Sequence, residues 1–89
     1  MNYIGVIHKD PDSDFGVSFP DFPGCITAGR TLTEAKAMGV EALEGHIAEM
    51  QAAGEAIPAP SSLDAVLANP DFADAAAFLV VPARDVAPA

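Results

Sequence analysis

The sequence is poor in the residues that build most catalytic and nucleic-acid-binding sites. Among 89 residues it has one cysteine, two histidines, no tryptophan and four Lys or Arg residues. A single cysteine excludes an internal disulfide and a thiolate metal cluster, and it indicates a reducing compartment. So few basic residues make direct binding to a nucleic-acid backbone unexpected.

Long apolar runs are also missing. No segment has the length of a membrane-spanning helix, and the first residues lack the basic and apolar regions of a signal peptide. We therefore expect a cytoplasmic protein. Apolar residues make up 51% of the chain, enough for the core of one small domain. The net charge of -9 would speed encounter with a basic partner.

Local patterns predict an α+β fold with the order β-β-β-α-β. Alternating or β-branched runs predict strands over 2–8, 15–19 and 25–29, separated by turn-forming residues. The apolar run 76–81 predicts a fourth strand, central in the sheet or buried on both faces. Three consecutive strands with tight turns should form an antiparallel meander, and a helix crossing one face makes an antiparallel two-layer domain.

The predicted helix lies between the third and fourth strands. Thr31 and Glu34 have the spacing of a capping box, and Gly54 is a suitable C-terminal cap. Gly39 falls on the apolar face, where a glycine would permit close approach to the sheet. Gly45 does not fall there, and its cost to the helix, roughly 1 kcal/mol, has no explanation in the sequence.

Residues with catalytic potential do not form a recognisable site. Asp10, Asp12 and Asp14 cluster in one turn, but the following residues lack the further ligands of a calcium loop. We interpret them as a solvated turn or a charged contact surface. His46 should pack at the core edge, and Cys25 has no evident activating base. We therefore predict no catalytic residue, no metal and no cofactor.

One segment carries a family resemblance. Residues 15–35, with the run F-P-D-F-P-G-C followed by a strand, a glycine, Thr-Leu and a Glu-Ala helix start, resemble the HicB antitoxins of toxin–antitoxin modules. The runs 42–46 and 54–61 also resemble that family. The resemblance implies a degraded ribonuclease-H-like fold without nuclease activity. It also implies a partner, a small basic HicA-type mRNA ribonuclease that the antitoxin inhibits.

The resemblance also suggests domain limits. We expect a toxin-neutralising domain over 1–82 and, over 83–89, the start of a linker to the C-terminal DNA-binding domain that usually follows in the family. Such a parent protein could repress its own operon, and we expect a homo-oligomer. The candidate toxin contacts come from the residues themselves: Asp10, Asp12 and Asp14 offer charge, and Asp21 and Phe22 lie in a rigid turn that we expect to be exposed. For Phe22 the alternative is a core anchor of its turn.

Two other function classes remain open at this point. A ribonuclease-H-like fold with Asp10, Asp12 and Asp14 could be a metal-dependent nuclease, although fold alone does not license activity. The chain could also be a stand-alone oligomerisation or regulatory domain without a toxin.

Overall fold

A computed structural model describes residues 1–83, which form a four-stranded antiparallel sheet with one long helix against it. The elements are β1 (Asn2–Lys9), β2 (Phe15–Ser18), β3 (Ile26–Gly29), α1 (Leu32–Ala52), α2 (Leu63–Ala68), a 3-10 turn (Pro70–Phe72) and β4 (Ala77–Pro82). The predicted α+β class and element order are confirmed. The strand order in the sheet is β3-β2-β1-β4.

The central position belongs to β1, not to β4. Tyr3 and Ile7 of β1 lie in the core beneath α1, whereas Ile4 and Val6 lie in a second cluster on the opposite face. Among residues 1–83, β4 pairs only with β1 and forms an edge of the sheet, and its Val80 is 61% exposed. The expectation of a central or doubly buried fourth strand is therefore wrong, because an apolar run does not reveal how many strands flank it.

Local signals define both ends of α1. The Thr31 hydroxyl accepts a hydrogen bond from the Glu34 amide at 3.1 Å, as the capping box predicts. At the C-terminal end Gly54 has φ +73°, and its amide donates to the Gln51 carbonyl at 3.1 Å. The Glu55 amide donates to the Met50 carbonyl at 2.9 Å. These two bonds make a Schellman motif, with Gly54 just past the last cap residue.

Gly39 explains how closely α1 approaches the sheet. A Cβ at this position would lie 3.3 Å from Val17 Cγ1 and 3.4 Å from Leu79 Cδ1. The predicted close approach is thus confirmed. The buried residues of α1 recur every fourth position: Ala35, Gly39, Leu43 and Ile47. Their stripe holds the helix against the sheet.

The opposite face of the sheet is covered only in part. Val66 of α2 packs with Ile4 and Val6, and Phe72 and Phe78 pack against this cluster. Ser62 caps α2 by accepting from the Ala65 amide at 3.1 Å. The segment 63–72 therefore adds a small partial layer on the face of the sheet opposite α1.

The described residues end close to the start of the chain. Ala83 is buried, and its amide donates to the Met1 carbonyl at 2.7 Å. The rest of the predicted linker, 84–89, lies outside the described residues. Within residues 1–83, neither helix combines the length and the apolarity that a membrane span requires.

Candidate functional site

The acidic loop, defined as residues 10–14, joins β1 to β2. Lys9 pairs with Phe15, and Phe15 pairs with Gly29, so the loop lies at the end of the sheet where α1 begins. Asp10, Asp12 and Asp14 are all exposed. The Ser13 hydroxyl accepts from the Asp10 amide at 3.0 Å and donates to the Asp14 carbonyl at 2.9 Å. The Ser13 hydroxyl thus orders the loop through its backbone groups, and the three carboxylates remain at the surface.

Asp21 has an internal role in the turn between β2 and β3. Its carboxylate accepts from the Ser61 amide at 2.9 Å and from the Ser61 hydroxyl at 2.5 Å. These bonds connect the turn to the segment that leads into α2. Asp21 therefore stabilises the packing of two loops, and its carboxylate is not free to meet a partner in the way that those of the acidic loop are.

Phe22 is a core residue. Its side chain is 2% exposed, and its ring makes edge contacts with Tyr3, with centroids 4.8 Å apart, and with His46 at 5.7 Å. The expectation of an exposed Phe22 is wrong, and the alternative interpretation as a core anchor describes its position. A five-residue turn rich in proline looks exposed in sequence, but this turn folds inward at its aromatic residue.

Tyr3 packs against the same turn through the Phe22 ring. Its hydroxyl donates to the Pro58 carbonyl at 2.5 Å. Burial raises the pKa of the Tyr3 phenol, and the nearby negative charge of Asp21 raises this pKa further. The phenol is therefore held in its neutral, hydrogen-bond-donating form.

The groups with chemical reactivity are packed into the fold. Cys25 is buried, and burial raises the pKa of its thiol, which disfavours the reactive thiolate. His46 is half-buried against Phe22, and the His8 ring lies 6.4 Å from that of Phe72. Among residues 1–83, His, Cys, Asp and Glu side chains do not gather into a group of three or more that could hold a metal ion.

A groove that the sequence did not reveal runs between α1 and the start of β3. This groove, which we call the α1 groove, has a volume of about 360 Å³. One wall is the segment 24–26. The other is an α1 stripe with helical spacing, and it consists of Met38, Glu41, Ala42, Gly45, His46 and Glu49. The one available signal in sequence was Gly45, a helical glycine off the apolar face.

A second, smaller hollow of about 250 Å³ shares the segment 24–26 with the α1 groove. It is lined by 18–20, by 22–26 and by Phe72. Its lining has no charged residue, whereas the α1 groove has Glu41 and Glu49. The two hollows therefore differ in the chemistry of the partner that they could receive.

Comparison with known proteins gives a family for this architecture. The family model described as "HicB_like antitoxin of bacterial toxin-antitoxin system" matches residues 3–87. An uncharacterised 14.9 kDa protein from the rep-hol intergenic region of Haemophilus phage HP1 is 38% identical over 74 residues. That alignment covers 83% of this chain and 55% of the phage protein. The chain thus spans little more than half the length of this relative.

Solved structures agree with the family model. The crystal structure of the Burkholderia pseudomallei antitoxin HicB matches with a TM-score of 0.84 and 31% identity, over 93% of this chain and 63% of that one. A chain of the HicA3 and HicB3 toxin–antitoxin complex matches with a TM-score of 0.75 and 26% identity. This second match covers 92% of this chain and 96% of that one.

Proposed function

The chain belongs to the HicB-like antitoxin family of bacterial toxin–antitoxin systems, and on that premise we propose that it is a type II antitoxin domain that binds and inhibits a HicA-type mRNA ribonuclease. The family match over residues 3–87 carries the proposal. Two further observations support it. The fold is that of a solved HicB antitoxin, and a chain of similar structure occurs in a HicA3–HicB3 complex.

The charge of the chain suits such a partner. A net charge of -9 on 89 residues attracts a basic ribonuclease over long range and suppresses binding to RNA or DNA. We propose that the domain acts without catalysis and that it has no direct contact with nucleic acid. DNA binding and repression of its operon would require a further domain in the parent protein.

The acidic loop remains a proposed contact. Asp10, Asp12 and Asp14 are exposed, and their carboxylates extend from a loop ordered by Ser13. Asp21 and Phe22 act on a contact surface indirectly in this proposal, because both hold the turn 20–25 in place. A cytoplasmic location and homo-oligomerisation complete the proposal.

Co-expression with a HicA-type toxin, sought among small basic proteins encoded beside this chain, tests the function. We expect the chain to restore growth in cells that express the toxin and to co-purify with it. In a purified assay, it should stop RNA cleavage by the toxin, while the chain with Mg²⁺ alone leaves RNA intact. Failure to restore growth and to co-purify would contradict the antitoxin role, and Mg²⁺-dependent cleavage by the chain would favour the nuclease alternative.

A further inference from the structure

The α1 groove contains a helical glycine that the fold itself does not need. A Cβ at Gly45 would meet nothing within 4 Å, whereas a Cβ at Gly39 would press on Val17 and Leu79. Gly45 has an ordinary negative φ, since Gly24 and Gly54 are the glycines of positive φ. Glycine inside a helix weakens it relative to alanine. Its presence in the α1 wall of a groove is explained if another molecule approaches the helix there.

The groove also exposes apolar surface at its edges. Ile26, at the rim, is 72% exposed, and Met38 of α1 is 37% exposed. Ile26 begins β3, which is an edge strand of the sheet. Apolar side chains beside a concave surface are typical of the centre of a protein interface.

The charge at the groove has one sign. Glu41 and Glu49 are among its lining residues, and that lining includes no Lys or Arg. Lys36, the basic residue of α1, is not part of it. Carboxylates beside an apolar hollow favour a partner with cationic side chains around an apolar contact. The uncharged hollow beside Phe72 lacks this complementarity.

From these observations we propose that the α1 groove is the docking surface for the basic toxin, with an apolar toxin residue over Gly45 and cationic residues facing Glu41 and Glu49. This inference rests on the proposed antitoxin function and assigns a surface to it. The carboxylates of the acidic loop, in contrast, are exposed and do not line the α1 groove, so the loop contributes attraction over long range. The α1 groove determines how long the complex lasts.

Two matched pairs of variants test the docking surface with the purified cognate toxin as the probe. Gly45→Leu fills the groove, and Ala37→Leu adds the same side chain at an exposed position of α1 outside it. Glu41→Lys and Glu44→Lys make the same change of charge inside and outside the groove. Circular dichroism and Tm establish that each variant is folded.

We expect each groove variant to weaken toxin binding by about tenfold or more, mainly through faster dissociation. The two controls should change the affinity by less than about twofold. Gly45→Ala is informative as well, because it should raise Tm while it weakens binding. A merely structural role for Gly45 cannot produce those opposite changes.

Each other outcome has a defined meaning. If the wild-type chain does not bind the toxin, the proposed function itself fails. If the wild-type chain binds but groove and control variants behave alike, the antitoxin role stands and the docking surface is wrong. If Gly45→Leu instead disrupts self-association and leaves toxin binding unchanged, the groove receives a second copy of this chain, which also overturns the proposal.

Discussion

Two acidic regions of this domain, the acidic loop and the α1 groove, differ in what surrounds their carboxylates. In the loop, Asp10, Asp12 and Asp14 are exposed on a turn, and the hydrogen bonds that order this turn involve the Ser13 hydroxyl and the backbone. In the groove, Glu41 and Glu49 lie beside apolar residues and an open glycine. The first region offers exposed charge, and the second offers charge beside a concave apolar surface.

This difference separates two physical roles in recognition. Exposed charges mainly change the rate of encounter and the dependence on salt, whereas desolvated contacts mainly change the rate of dissociation. The groove wall at 24–26 also depends on the core, since Phe22 and Tyr3 hold the adjoining turn. Perturbing the core should therefore affect the groove and spare the loop.

The largest expected effect comes from Phe22→Ala. Removing a buried phenyl ring leaves a cavity and should lower the free energy of unfolding by about 3–5 kcal/mol. Replacing Asp10, Asp12 and Asp14 together by serine should change it by less than about 0.5 kcal/mol per site, because these residues are exposed. Urea denaturation followed by circular dichroism measures both. An equal loss of unfolding free energy in the two variants would contradict the distinction between a core-dependent groove and an independent loop.

The next effect concerns the bonds between Asp21 and Ser61. Asp21→Ala removes both bonds and leaves the partly buried Ser61 groups without this acceptor, at a cost of about 1–3 kcal/mol. Asp21→Asn keeps one acceptor oxygen and should lose less. Asp14→Ala serves as the exposed control in the same urea titration. If Asp21→Ala and Asp14→Ala unfold at the same midpoint, the structural role of Asp21 is wrong.

A smaller effect is expected on binding kinetics from the loop. The triple serine variant should bind the toxin severalfold more slowly at low salt, with nearly unchanged dissociation. The difference should shrink toward about 0.5 M salt, where the screening length falls to roughly 5 Å. Surface plasmon resonance over a salt series measures it. A large change in dissociation would instead place the loop at the centre of the interface.

The smallest effect appears at high pH. The pKa of Tyr3 is raised in the folded protein by burial and by Asp21, so the folded state holds this proton more tightly than the unfolded chain does. The resulting stability is complete below the ordinary pKa of 10.0, and it decreases as pH rises above that value. Chemical denaturation at several alkaline pH values measures the loss.

The Tyr3→Phe variant is the control for that titration. It should lose about 1 kcal/mol at neutral pH with the bond to Pro58, but less additional stability between pH 9 and 11 (about one pH unit either side of the ordinary phenol pKa). An alkaline loss as steep as that of the wild-type chain would show that another group is responsible.

Several features were predictable because they depend on neighbours in sequence. The capping box at Thr31, the Schellman glycine Gly54 and the alternation in β2 are local. The close approach at Gly39 was also predictable, since helical spacing places it among buried residues. Phe22 and the position of β4 were not, because an aromatic residue in a proline-rich turn and an apolar run are each compatible with a core or a surface position.

The family motif, the acidic charge and the order of the elements were determined by the sequence itself, through local conformational preferences and composition. The strand order, the inward turn of Phe22 and the α1 groove were decided only by the tertiary structure. They depend on contacts between residues distant in the chain, such as Tyr3 with Phe22 and segment 24–26 with α1. Packing of nonlocal neighbours, which no single segment encodes, thus places Gly45, unexplained in sequence, in the wall of a candidate interface.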